Sequence, residues 1–120
     1  MEYQEIVIDI TQYYSNSSAF SSDFGDGAFL LKGDNEFAYI VNNKLHRDDG
    51  PARIFLYPTT LGMKCYFIFY KHGKAHNEDG PALIAYYMNK LDMPYHSYYL
   101  DGIFLTQLEW EQQIATKLYW

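Results

Sequence analysis

Lys44-Leu45-His46-Arg47-Asp48-Asp49-Gly50-Pro51-Ala52-Arg53-Ile54 recurs thirty residues later as Lys74-Ala75-His76-Asn77-Glu78-Asp79-Gly80-Pro81-Ala82-Leu83-Ile84. The Lys, the His, the Asp-Gly-Pro-Ala run and the Ile are identical, and an acidic residue precedes the Asp in both copies. Agreement this dense at one fixed spacing marks an internal repeat. Such a repeat is one supersecondary unit that buries its apolar surface against its neighbours. A fainter third copy begins at Tyr98-Tyr99-Leu100-Asp101-Gly102-Ile103, which aligns with Phe69-Tyr70-Lys71-His72-Gly73-Lys74 but lacks the His and the Asp-Gly-Pro-Ala run. Upstream, Phe37 to Lys44 reads as the same hairpin arm leading into the first copy. Two full units between atypical ends are what a capped repeat array requires.

Local chemistry gives each unit a shape. Pro51 and Pro81 fix φ in the extended region and cannot donate, which suits the first residue of a strand. Gly50 and Gly80 supply a loop position that a side chain would obstruct. Each Pro opens an apolar run, Pro51 to Tyr57 and Pro81 to Met88. Pro58 to Gly62 reads as a turn, Met63 to Lys71 as a second strand ending at His72-Gly73, Asn89 to Pro94 as a turn and Tyr95 to Leu100 as its return strand. Towards the N-terminus, Ile6, Ile8 and Ile10 alternate with polar or smaller residues, predicting a strand within Glu2 to Tyr14. The serine-rich stretch Ser15 to Asp23 reads as a loop, and Ala28 to Lys32 with Glu36 to Val41 as a hairpin around Gly33-Asp34-Asn35. Thr106-Gln107-Leu108-Glu109 has capping-box form, and Trp110, Ile114 and Leu118 then fall on one helical stripe. The expected fold is mainly β (α+β): an antiparallel β-hairpin repeat meander with one C-terminal α-helix. A single domain spanning residues 1–120 divides into an N-terminal segment (residues 1–36), the β-repeats (residues 37–104) and the helix (residues 105–120).

Composition bounds the function. The 120 residues are 48% hydrophobic and 19% aromatic, enough to offset the ordering entropy of a chain this long and to exclude a disordered tail. No apolar run approaches the roughly 18 residues of a transmembrane helix, so no membrane partner is expected. Glu2 and Glu5 stand where a secretion signal needs cations. The single cysteine, Cys65, excludes an internal disulfide and fits a reducing cytoplasm. Nine Lys and Arg against fifteen Asp and Glu argue against direct binding of a nucleic-acid backbone.

The two His-x-x-Asp-Gly-Pro-Ala segments, followed by Tyr99-Leu100-Asp101-Gly102 and a short capped helix, resemble the MORN-like "His-Arg-x-Asp-Gly-Pro-Ala" β-hairpin repeat proteins of phages and large viruses. The resemblance covers roughly Phe37 to Gln113. Asn77 replaces the motif Arg in the second copy, so a role for that guanidinium has no support there. The resemblance implies a β-rich stack with an interaction role and no catalytic activity, and viral ownership implies a host protein as partner, such as a defence enzyme to be inhibited.

Candidate chemistry lies in the repeated loops. His46 and His76 stand three residues before Asp49 and Asp79, and a carboxylate-bonded His can act as a general base or join a metal site. The same pair can brace its own loop, and its recurrence once per repeat favours the brace, because an active site needs only one copy. His46, Asp49, Gly50, Pro51, His76, Asp79, Gly80 and Pro81 are therefore read as a structural motif. No catalytic residue, metal ligand or cofactor is expected, since no supporting cysteine spacing, nucleophile elbow, P-loop or dinucleotide fingerprint accompanies them. His46-Arg47-Asp48 spells a kinase triplet without the rest of the kinase signature. Cys65 reads as a small core residue.

The tyrosines carry more. Met63, Cys65, Phe67 and Phe69 alternate with Lys64, Tyr66, Ile68 and Tyr70, so both faces of that strand are substantially apolar or aromatic. A sheet with one wet face alternates cleanly, and this one does not. Tyr66, Tyr70, Tyr86, Tyr87 and Tyr98, with the loop acids Asp48, Asp49 and Glu78, are the expected partner-binding residues. The expected function is a small cytoplasmic interaction module that captures a host or cellular protein. The alternatives are a His/Asp or metal-dependent hydrolase, a homodimer or other self-assembling repeat protein, and an acidic mimic of nucleic acid.

Overall fold

The computed structural model describes residues 2–14, 20 and 22–118, with backbone alone for 90–93 and 118. The chain runs through β1 (Gln4–Val7), a 3-10 turn (Ile10–Tyr13), β2 (Ala28–Lys32), β3 (Glu36–Val41), β4 (Lys44–Leu45), β5 (Arg53–Thr59) and β6 (Gly62–Ile68). It continues through β7 (Tyr70–Lys71), β8 (Lys74–Ala75), β9 (Leu83–Tyr87), β10 (Lys90–Leu100), β11 (Ile103–Leu105) and α1 (Gln107–Leu118). The fold is mainly β with one C-terminal α-helix, as the sequence predicts. The main sheet has the order β1-β2-β3-β5-β6-β9-β10-β11, with β4 paired to β3, and β7 pairs separately with β8.

Three tight turns set the repeat. They lie at Asn42-Asn43 (φ 50° and 66°), His72-Gly73 (49° and 83°) and Asp101-Gly102 (49° and 81°). Positive φ at both central residues gives a hairpin turn whose twist matches that of the strands it joins. The turns close β3 onto β4, β7 onto β8 and β10 onto β11. They also stack. Gly73 N–H donates to Leu45 O and Gly102 N–H to Ala75 O, both at 2.8 Å. An added Cβ on Gly73 or Gly102 would meet the Lys44 or Lys74 stem at 3.6 Å.

Ala52 and Ala82 show why the motif ends in Pro-Ala. Both are fully buried. Ala52 N–H donates to Ile68 O (2.9 Å) while its carbonyl accepts from Tyr39 N–H (2.7 Å), and Ala82 does the same with Ser97 O and Phe69 N–H at the same distances. Each Ala thus ties a loop to two strands at once, where a larger side chain has no room.

Several boundaries differ from the sequence expectation, each for a local reason. The N-terminal strand ends at Val7 and pairs in parallel with β2, so the sheet is mixed rather than a pure antiparallel meander. Asp9 ends that strand, because its carboxylate accepts from Thr11 N–H (3.2 Å) and Thr11 Oγ1 (2.6 Å) and caps the 3-10 turn. Strands β5 and β9 begin two residues after their prolines, whose carbonyls are held by Arg47 and Asn77. The first turn shortens to Thr60-Leu61 because Pro58 stays in the strand. Leu56 N–H points to Asn35 O, so the nitrogen two residues on faces the same edge, past the end of β3, where no donor is needed. The strand predicted from Met63 to Lys71 breaks at Phe69, whose N–H and C=O bond Ala82 and His76. The turn predicted over Asn89 to Pro94 lies at Met88-Asn89, and β10 then runs on with a register shift between Lys90 and Tyr95. The hairpin around Gly33-Asp34-Asn35 and the Thr106–Glu109 capping box form as predicted, the latter through reciprocal bonds of 2.9 and 3.1 Å. Of the serine-rich loop, residues 15–19 and 21 lie outside the described residues.

Register assigns the two faces. Phe37, Ile54, Phe67, Ile84 and His96 form one row, with Leu56, Cys65 and Tyr86 beside it; this is the Phe67 face. Ala38, Arg53, Ile68, Leu83 and Ser97 form a row on the other side, followed by Phe55, Tyr66, Ala85 and Tyr95 and then by Tyr57, Lys64 and Tyr87; this is the Arg53 face. The described part of the N-terminal segment covers the Arg53 face over β2 and β3 and, through Tyr14, at the start of β5; Ile10 packs there on Leu31, Ala38, Ile40 and Leu45 with Tyr14, Phe20 and Phe24 around them. Tyr14 lies 4.0 Å over the Arg53 guanidinium, and burial holds its phenol protonated well above the usual range. Helix α1 packs on β10 and β11.

Candidate functional site

The two repeated loops place their histidines identically. His46 is buried, and its Nδ1 accepts the backbone N–H of His72 at 2.9 Å. His76 Nδ1 accepts the N–H of Asp101 at 2.9 Å. A ring nitrogen that accepts carries no proton, so in both residues the ring proton sits on Nε2. That nitrogen meets Asp48 Oδ1 at 3.0 Å in the first copy and Glu78 Oε1 at 3.4 Å in the second. Both nitrogens of each ring are engaged. Each His braces the hairpin turn of the following repeat, which joins one unit to the next.

The acid that holds the ring is therefore the one before the motif Asp, not Asp49 or Asp79. Asp49 instead takes the Arg47 Nε at 3.1 Å, and Asp79 N–H donates to Asn77 Oδ1 at 2.9 Å. Two residues of separation, not three, face the acid to the ring once the loop is closed. Lys71 Nζ donates to Asp48 Oδ1 at 2.9 Å and holds its carboxyl below the usual range, with His46 adding to the effect. Lys117 does the same for Glu78. Lys71 ends β7 just before its turn, whereas its counterpart before the next turn is Leu100, and the cation there comes from α1. Trp110 Nε1 also reaches from α1 to Asn77 O at 2.9 Å. The helix thus caps the array by supplying the cation that the third hairpin lacks.

Asn77 keeps one role of the Arg it replaces. Arg47 Nη1 donates to Pro51 O at 3.2 Å, and Asn77 Nδ2 donates to Pro81 O at 2.9 Å. Only Arg47 also stacks on an aromatic ring, with its Cζ 4.1 Å from the Tyr39 centroid. The glycines divide in the same way. A Cβ on Gly50 would stand 3.0 Å from Arg47 Cζ, whereas on Gly80 it would meet only Asn77 Nδ2 at 3.9 Å, so the predicted obstruction holds for Gly50 alone. At the histidine position of the third copy stands Leu105, buried, with no later turn to brace. At the other end Asn42 and Asn43 accept Gly27 N–H (2.9 Å) and Phe24 N–H (2.8 Å), so residues 24–27 cap the first turn.

Between the loops lies a groove of about 850 Å³, bordered by Asp48, Asp49, Glu78, Asp79 and Asp101 and by the cations that pair with them. Asp49 and Asp101 are both strongly exposed. His46 and His76 do not meet. Among the described residues no three His, Cys, Asp or Glu side chains form a group that could hold a metal ion.

The tyrosines expected on one binding face are separated. Tyr66 and Tyr87 share the Arg53 face, and Tyr86 lies on the opposite one beside Phe67, with ring centroids 5.9 Å apart. Tyr70 leaves both faces at the Phe69 break and packs against the core around Leu45. Tyr98 packs under α1, 5.2 Å from Trp110. Tyr66 stacks on Phe55 at 4.5 Å with 6° between planes, and the Lys64 ammonium sits 5.1 Å from Tyr66 and 5.6 Å from Tyr87. Tyr57 and Tyr95, more than half exposed, complete this platform; neither stood out in the sequence, though strand alternation places Tyr57 beside Phe55. The loop acids lie at the opposite end of the same strands.

Compared with known protein families, curated proteins and solved structures, the chain matches none. Among the described residues no helix is long and apolar enough to cross a membrane.

Proposed function

We propose that the protein is a non-catalytic interaction module that binds a host or cellular protein through the platform of Phe55, Tyr57, Tyr66, Tyr87 and Tyr95. The observation that carries this reading is the platform itself. Five aromatic rings and one lysine stem cover β5, β6, β9 and the adjoining part of β10 on the side that the described part of the N-terminal segment leaves open. Tyrosine and tryptophan dominate interface energetics because a rigid ring buries a large area with little entropy loss. The acids Asp48, Asp49 and Glu78 lie in the loops at the far end of the platform's strands, where they offer the partner a separate polar contact.

The histidines support the same reading. With Nδ1 on a backbone amide and Nε2 on a carboxylate, neither ring has a free nitrogen to take a proton from a substrate. The resemblance to repeat proteins of phages and large viruses directs the search for the partner to host defence proteins of the cytoplasm.

The test is affinity capture from lysate, identification of the bound protein, and titration of that protein against variants. Tyr66→Ala and Tyr87→Ala each weaken binding by about tenfold or more, the cost of an aromatic hot spot, while circular dichroism stays unchanged. Equal affinity of both variants and wild type removes the platform as the binding surface.

A further inference from the structure

The opposite side of the same strands is apolar in a different way. On β5, β6 and β9 the Phe67 face carries Ile54, Leu56, Cys65, Phe67, Ile84 and Tyr86 and not one Asp, Glu, Lys or Arg. Among the described residues no element packs extensively on it, since α1 sits on β10 and β11 and the N-terminal segment lies on the other face. Phe37, in the same row, is 41% exposed, and Met88, bonded to Met63 at the far edge, is 53% exposed.

We propose that this face is the interface of a homodimer, with the sheets of two copies packed face to face. The area argues for an occupant of that size. A closed monomer of this mass exposes about 6,700 Å², whereas the chain exposes 7934 Å². The surplus, about 1,200 Å², belongs to the whole chain and is shared with the open part of the Arg53 face; it exceeds the roughly 800 Å² that each partner contributes to a stable interface. The absence of charge identifies the occupant as a second copy. A face with no charge offers a heterologous partner no ion pair to fix its register, but it meets its own copy without repulsion, and homodimer interfaces are more apolar than others. Sheets packed this way lie about 10 Å apart and interdigitate their inner side chains. The Tyr66 platform then faces outwards on both copies, and partner binding and dimer formation use opposite sides of the sheet.

Light scattering and sedimentation over a range of concentrations test this. The expected mass is twice the 14.1 kDa of the chain, falling to the monomer on dilution. Phe37→Lys, set beside Lys32 on the neighbouring strand, and Met88→Glu, both at exposed positions that a folded monomer tolerates, weaken the dimer by on the order of a hundredfold, because each buries an unpaired charge. Tyr57→Glu, on the other face, leaves it intact. A wild-type mass equal to one chain at every concentration overturns the proposal. So does a dimer that survives both Phe37→Lys and Met88→Glu, or one that Tyr57→Glu alone dissociates. None of these results depends on whether the platform binds a partner.

Discussion

His46 and His76 act on the hairpin that follows their own. In an isolated hairpin the turn amide would bond water; here an imidazole Nδ1 accepts it, and the ring is held in place by an acid two residues on. Replacing a buried, bonded ring removes a hydrogen bond and some of the packing. His46→Ala therefore lowers stability by about 1–2 kcal/mol, read as a drop of several degrees in melting temperature. The acids add a pH dependence. The Lys71 and Lys117 ammoniums hold Asp48 and Glu78 below the usual carboxylate range. A carboxyl lowered in the folded state contributes stability that is complete above its unfolded value and lost as pH falls through its folded one. Thermal stability followed downwards from neutral pH thus declines below the ordinary carboxylate range, and Asp48→Asn flattens that decline. The His-acid-Gly-Pro pattern was legible because it repeats. Which acid meets the ring was not, because that depends on how the closed loop aims Asp48 at Lys71 and Asp49 at Arg47.

The repeat is built from hairpins linked at their alanines. Ala52 and Ala82 each accept and donate across two strands in full burial, so a larger side chain must push a loop off the sheet. Ala52→Val and Ala82→Val each destabilise by about 1–3 kcal/mol, measurable by denaturant titration with unchanged m. Elements specified by adjacent residues were readable in advance: the Gly33-Asp34-Asn35 hairpin, the His72-Gly73 turn and the Thr106–Glu109 cap. Elements decided by distant partners were not. The strand break at Phe69 exists because Ala82 and His76 claim its backbone, and Tyr70 consequently packs in the core instead of lining a face. The cap on the second loop could not be inferred either, since Lys117 reaches Glu78 only through the packing of α1.

Among the described residues the sheet is covered at its ends and open in its middle. The radius of gyration is 15.2 Å, against about 13.6 Å for a closed domain of this length. The excess of tyrosine and phenylalanine in the composition reflects this architecture. Alternation along β6 showed that both faces were apolar, but only register divided them into an aromatic platform with Lys64 and a charge-free face with Cys65 at its centre. Scaffold and binding surface are then separate, with histidines holding the array together and tyrosines meeting the partner. Melting and partner affinity, measured side by side on wild type, His76→Ala and Tyr66→Ala, test that separation most directly. His76→Ala is expected to melt several degrees lower yet to bind with wild-type affinity at a temperature where it remains folded, and Tyr66→Ala to keep most of its stability while losing affinity. Loss of binding in folded His76→Ala, with Tyr66→Ala binding normally, would contradict that separation.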